Sequence, residues 1–123
     1  MAITLNTTLR NARAQAIVTE AGATAKLSVY TAAYASLLYT STCAATLGTV
    51  ATGILTLNAV GNATAGAGGV AAIARLFKTD GTTMVIEGLT VAVSGANINI
   101  TNTTIAVNDV VTTSSGTITE GNP

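Results

Sequence analysis

The sequence predicts a mainly β fold: an antiparallel β-sandwich or barrel, jelly-roll-like, with one N-terminal amphipathic helix. Three observations lead there. Thr supplies about a fifth of the 123 residues, and the apolar half of the chain is Ala, Val, Ile and Leu with only three Tyr and one Phe. Small and β-branched side chains of this kind suit a pleated, half-buried surface. The single Pro is Pro123, so no residue in the body of the chain removes a ladder N–H. From residue 25 onward, short alternating runs are separated by turn-forming residues about every eight to twelve positions, the rhythm of antiparallel sandwiches and barrels.

The length suits one β-rich domain, 1–123, made of an N-terminal arm (1–6), a helix (8–21) and the strands. Thr7 or Thr8 is placed to cap the helix, since a Thr side-chain oxygen accepts from a first-turn N–H. Leu9, Ala12, Ala16 and Ile17 recur at helical spacing and predict the apolar stripe, with Arg10, Arg13 and Glu20 off it. Gly22 suits the left-handed position past the C-terminus.

The period then changes from 3.6 to 2. Lys26-Leu27-Ser28-Val29-Tyr30 alternates as a half-buried strand, and residues 32–43 are ambiguous. Residues 45–50 and 53–57 read as two short strands meeting near Thr52-Gly53. Gly61-Asn62-Ala63-Thr64-Ala65-Gly66-Ala67-Gly68-Gly69 has no large side chain to bury and reads as a loop. Residues 71–78 and 82–87 form a hairpin across Asp80-Gly81. Residues 89–93 and 97–100 flank a second turn at Ser94-Gly95, and 105–107, 110–113 and 117–119 complete the strands.

Chemistry is sparse. The chain has no His, which removes Ser-His and Cys-His nucleophile pairs and the commonest metal ligand. The carboxylates Glu20, Asp80, Glu87, Asp109 and Glu120 are scattered, and Asp80 is explained by its turn, so neither a hydrolytic pair nor a metal cluster is expected. The glycine run lacks the Gly-Lys-Ser/Thr ending of a phosphate loop and precedes a strand instead of a helix. Cys43 is alone and reads as a small buried hydrophobe. No cofactor and no enzymatic activity are expected. Four Asn-x-Thr sequons, starting at Asn6, Asn62, Asn99 and Asn102, follow from Thr content, and the N-terminus lacks the pattern of an export signal.

Charge narrows the partners. The five basic residues, Arg10, Arg13, Lys26, Arg75 and Lys78, are too few and too scattered for nucleic acid. No charge lies between Lys26 and Arg75. Such a stretch fits burial against partner chains or a neutral Thr-rich surface. Polar residues break it too often for a membrane helix, which needs about 18 apolar residues. Tyr30, Tyr34 and Tyr39 lie close in sequence; they read either as interface anchors or as a lid on a sheet edge or core. Ile3 and Leu5 alternate in the arm as a strand able to add to an exposed edge of a neighbour, and join the tyrosines as candidate interface residues. Arg75, Lys78 and Glu87 are expected in rim ion pairs. The residues therefore describe a structural protein that packs against copies of itself or a larger assembly.

Several stretches carry a resemblance. Thr8-Leu9-Arg10-Asn11-Ala12 is followed by Ala25-Lys26-Leu27-Ser28-Val29-Tyr30-Thr31, then by Ala74-Arg75-Leu76-Phe77 with Asp80-Gly81-Thr82. Ser94-Gly95-Ala96-Asn97-Ile98-Asn99-Ile100 and Gly116-Thr117-Ile118-Thr119-Glu120-Gly121-Asn122 close the pattern. Together they resemble a family of small structural proteins of tailed bacteriophages and prophages, across most of the chain and least between residues 32 and 69. Family members usually carry an aromatic pair in the 74–77 strand, where this chain has Phe77 alone.

The resemblance implies a virion component assembled in the bacterial host cytoplasm, and brings no site residues with it. The leading expectation is a capsid decoration or cement protein, a dimer or trimer bound to the major capsid protein in many copies, where weak contacts add through multivalency. A tail, neck or fibre-attachment component is the alternative. A non-catalytic ligand-binding β-sandwich would use Asn97, Asn99, Asn102 and Asn108, without a Trp to stack a sugar. A filament-forming protein is the remaining alternative, from the Ala, Thr and Gly content.

Overall fold

The structure, a computed structural model, describes residues 6–119. The expected interface residues Ile3 and Leu5, with the first five positions of the arm, lie outside the described residues. The fold is mainly β with one helix, as composition and rhythm predict.

Helix α1 spans Thr7–Ala21. Its N-cap is Asn6 and not a Thr: Asn6 Oδ1 accepts from the Leu9 N–H at 2.8 Å, consistent with the stronger capping preference of Asn. Gly22 ends the helix as expected, with φ 69° and its N–H donating to the Val18 carbonyl at 3.2 Å. The buried face differs from the expected stripe. Ala14, Val18 and Ala21 are buried and Ile17 packs beside them, whereas Leu9 is 46% exposed and Ala12 and Ala16 face out. The cause is Asn11, which shares the row of Ala14, Val18 and Ala21. Its Oδ1 accepts from the Gly53 N–H at 2.7 Å, so a polar anchor sets the rotation of the helix.

The strands are β1 Lys26–Tyr30, β2 Leu37–Thr42, β3 Gly48–Ala51, β4 Ile54–Leu57, β5 Ala63–Thr64, β6 Gly69–Val70, β7 Ile73–Phe77, β8 Met84–Ala92, β9 Ile98–Ile100, β10 Thr104–Ile105, β11 Val110–Val111 and β12 Thr113–Thr119. Eight of them form one sheet in the order β2-β1-β7-β8-β9-β12-β4-β3; β6 pairs with β10 and β5 with β11. Inward residues from distant strands, Leu27, Leu38, Leu55, Leu76 and Ile98, share one core, so the sheet curls around it. Helix α1 packs its Ala14–Val18–Ala21 row into the same core.

Three expectations are corrected. First, residues 82–87 and 89–93 are not two strands but the single strand β8. Gly88 at φ 81° absorbs a bulge in its middle, where pairing with β7 shifts register. Second, the strands flanking the turn at Ser94-Gly95 depart from the antiparallel pairing expected of the whole sheet. β8 and β9 pair in parallel, Val91 with Ile98 and Ala92 with Asn99, while the other pairings among the described residues are antiparallel. Only the end of β8 takes part, so the return path is short. Asn97 holds it: its Oδ1 accepts from Thr90 N at 3.1 Å, and its Nδ2 donates to the Thr117 carbonyl at 3.2 Å. Third, the glycine run is not a plain loop. It contains β5 and β6, and the N–H groups of Gly61 and Gly66 donate to the Thr42 and Leu38 carbonyls, each at 2.9 Å, covering the edge of β2.

The ambiguous stretch resolves into a 3-10 turn, Ala32–Tyr34, and β2. Thr52 and Gly53 both take positive φ, 50° and 75°, as the tight β3–β4 hairpin requires.

Candidate interaction surface

Alternation along β1 decides which side chains meet outside the sheet. Leu27 and Val29 point into the core, so Lys26, Ser28 and Tyr30 belong to the outer face. Across the ladders, Ser28 opposes Thr40 on β2 and Arg75 on β7. Ser28 Oγ and Thr40 Oγ1 are hydrogen-bonded at 2.9 Å, and Lys26 Nζ donates to Thr42 Oγ1 at 2.8 Å. Lys78 Nζ reaches Glu20 Oε1 at 3.0 Å, tying the end of β7 to α1.

Arg75 is the centre of this face. Its guanidinium lies 3.8 Å from the Tyr34 ring centroid and 5.3 Å from that of Tyr30. The two rings meet edge to face at 5.3 Å and 78°. Arg75 Nε stands 3.3 Å from Glu87 Oε2, a charge contact instead of an aligned hydrogen bond. Tyr34 Oη accepts from the Gly88 N–H at 2.6 Å, using a donor that the β8 bulge turns outward. Tyr34 reaches this place because Ala33 and Tyr34 adopt φ values of 57° and 58°, which turn the chain sharply after β1. Partial desolvation lowers the Arg75 pKa, but hydrogen bonding to Tyr30 and the charge of Glu87 more than offset this, and the net shift is upward.

Tyr39 parts from the other two tyrosines. It faces the core beside Val29, is 3% exposed, and its hydroxyl has no hydrogen-bond partner among the described residues. Burial pushes its pKa far upward. Of the two readings for the tyrosines, Tyr39 follows packing, while Tyr30 and Tyr34 form the outer cluster. Of the residues expected in rim ion pairs, Arg75 pairs with Glu87, whereas Lys78 pairs with Glu20, which the expectation did not include. Sequence reasoning did not find the stacking on Arg75. Its signal was parity: Tyr30 and Arg75 each lie an even number of places from the outward Ser28 or its partner across the ladder.

The remaining polar candidates are occupied by the fold. Asp80 Oδ2 accepts from the Thr83 hydroxyl and Oδ1 from the N–H groups of Thr83 and Thr82 at 2.8 Å each, which together lower its pKa to about 2. Asp109 Oδ2 accepts from Ala106 N at 2.9 Å. Asn97 and Asn99 tie the ends of β8, β9 and β12 together, Asn102 Oδ1 accepts from Thr104 N, and Asn108 occupies a turn at φ 74°. Burial pushes the Cys43 thiol up to about 11, against a smaller opposing effect of Lys26, so it is protonated at neutral pH.

No group of three or more His, Cys, Asp or Glu able to hold a metal ion occurs among the described residues. No helix among them is long and apolar enough to cross a membrane. Two clefts among the described residues, of about 170 and 150 Å³, are small beside ligand pockets of roughly 300 to 1,000 Å³.

No family model, no curated protein and no solved structure matches this chain.

Proposed function

We propose that this chain is a structural component of a tailed-phage particle, a decoration protein that strengthens the head by binding between subunits of the major capsid protein. The observation that carries the reading is the Tyr30–Tyr34–Arg75 cluster on the outer sheet face. Tyr and Arg dominate the energetics of protein interfaces because they supply large contact area together with directional polar groups. Here the guanidinium is held in place before binding by two rings and by Glu87, so little side-chain entropy is lost on docking. The uncharged stretch between Lys26 and Arg75 supports the same reading, since neutral surface is buried without stranding charges. The likeness to small virion proteins agrees with it.

The test is co-sedimentation of purified chain with phage heads that lack it. Saturable binding, lost in Arg75→Ala and retained in Lys26→Ala, is expected. Equal binding by both variants overturns the assignment of the surface, and no binding by the native chain overturns the function.

A further inference from the structure

Segments 61–70 and 104–111 form a two-segment ribbon beside β2. β5 pairs with β11 and β6 with β10. Between these pairs, Ala65 N donates to the Asp109 carbonyl and Asn108 N to the Ala65 carbonyl, each at 2.8 Å. The ribbon is thus braced within itself, while its hold on the eight-stranded sheet is thinner. Among the described residues, two backbone hydrogen bonds join ribbon and sheet: Gly61 N donates to the Thr42 carbonyl and Gly66 N to the Leu38 carbonyl, each at 2.9 Å. Both donors are glycines, so neither tie is reinforced by a side chain. The rest of the hold is apolar: Ala65, Ile105 and Val111 are buried in the shared core, and Ala63 and Ala67 pack against it.

What lies behind β2 favours release. Tyr39 and Ser41 share the inward side of this strand, and Cys43 follows at the same spacing. The three are 3%, 1% and 3% exposed. The hydroxyls of Tyr39 and Ser41 have no hydrogen-bond partner among the described residues. Hydrating two such groups offsets part of the cost of uncovering apolar surface. β2 is the last strand on its side of the sheet, so the ribbon is the cover next to this row. The Gly61 tie falls on the carbonyl immediately before Cys43.

We infer that the ribbon is a flap: it lifts from β2 as one unit while the eight-stranded sheet stays folded, and its opening uncovers the Cys43 thiol. Openings below global unfolding occur in contiguous cooperative units with few ties to the rest of a protein. The internal bracing of the ribbon and its two outer bonds meet that description. In the closed state the thiol is buried and protonated, so it reacts only through the open one. The flap is a property of the isolated chain and holds whether or not the chain belongs to a virion.

Cys43 is the single cysteine of the chain, so a maleimide reports on it alone. Labelling of the native full chain is measured at urea concentrations below the unfolding transition, beside the equilibrium unfolding curve. The rate is expected to exceed the rate that global unfolding allows by about tenfold or more, and to rise only weakly with urea, because the opening exposes little surface. Hydrogen exchange read by mass spectrometry is expected to show residues 61–70 and 104–111 exchanging together and ahead of β1 and β7. Gly66→Pro removes the N–H that ties the ribbon to Leu38, and is expected to speed labelling roughly fivefold, the weight of one net hydrogen bond. Gly66→Ala keeps that N–H, has open space for its Cβ, and is expected not to speed labelling. Labelling that follows global unfolding in both rate and urea dependence overturns the inference. So does a ribbon that exchanges no faster than β1, or equal labelling of the folded Pro and Ala variants. If Gly66→Pro does not fold, the urea dependence and the exchange of the native chain decide.

Discussion

The Tyr34 ring serves two partners at once: its face lies 3.8 Å from the Arg75 guanidinium, and its hydroxyl accepts from the Gly88 N–H at 2.6 Å. One side chain thereby links the turn after β1, the middle of β7 and the bulge of β8. The turn needs this support, because Ala33 and Tyr34 both occupy the left-handed region, which non-glycine residues rarely adopt. Tyr34→Phe keeps the ring and removes the acceptor. It is expected to lower stability by about 0.5–1.5 kcal/mol in denaturant unfolding. Tyr34→Ala also removes the stacking and is expected to cost more; equal losses in the two variants would show that the ring contributes nothing.

Leu27 and Val29 are fully buried at the centre of β1, between β2 and β7. Leu27→Asp or Val29→Asp places an unpaired carboxylate in the core and is expected to cost roughly several kcal/mol, enough to unfold the protein. Circular dichroism reads the outcome, and soluble variants with native spectra would remove β1 from the core.

Tyr39 presents the opposite case. Its hydroxyl is buried without a partner among the described residues, so Tyr39→Phe deletes a desolvated polar atom and keeps the ring. Stability is expected to stay level or rise, by up to about 1 kcal/mol, in thermal or urea unfolding. A clear loss would reveal a partner for that hydroxyl in solution.

Asp80 gives the pH dependence. Its hydrogen bonds to Thr83 and Thr82 hold the pKa at about 2, below the ordinary 3.8. A depressed carboxyl pKa means that the folded state favours the charged form. The contribution is therefore present above the ordinary value and lost as pH falls through about 2. The Tm difference between the native chain and Asp80→Asn is expected to be constant near neutrality and to shrink between pH 4 and pH 2. A difference that does not change over that range would show that the carboxylate does not close the turn.

Much of this architecture is legible in the residues, and what is not has identifiable physical causes. The alternation around Leu27 and Val29 reports a strand and its inward side, although Ser28 between them is buried too, and Thr52-Gly53 and Asp80-Gly81 report turns because positive φ has few hosts. The rotation of α1 is hidden because its inward row includes the polar Asn11, whose anchor, Gly53, is far away in sequence. Gly88 conceals the continuity of β8, since a glycine between apolar runs reads as a break until a bulge is seen. The parallel entry of β9 depends on Asn97 reaching Thr117, a contact beyond any local pattern. Among the tyrosines, parity alone separates Tyr30 from Tyr39: Tyr39 faces Val29 across the ladder and shares its inward side. The role of Tyr34 follows from a turn conformation that its neighbours do not signal.

The most direct test of the proposed virion role is quantitative mass spectrometry of phage particles purified from cells that express this chain, with heads and tails separated and scaled to the major capsid protein. A head-associated copy number comparable to that of the capsid subunit is the predicted result. A few to a few dozen copies confined to tails would contradict decoration and move the protein to the neck, tail or fibres, and absence from both fractions would contradict the virion reading altogether.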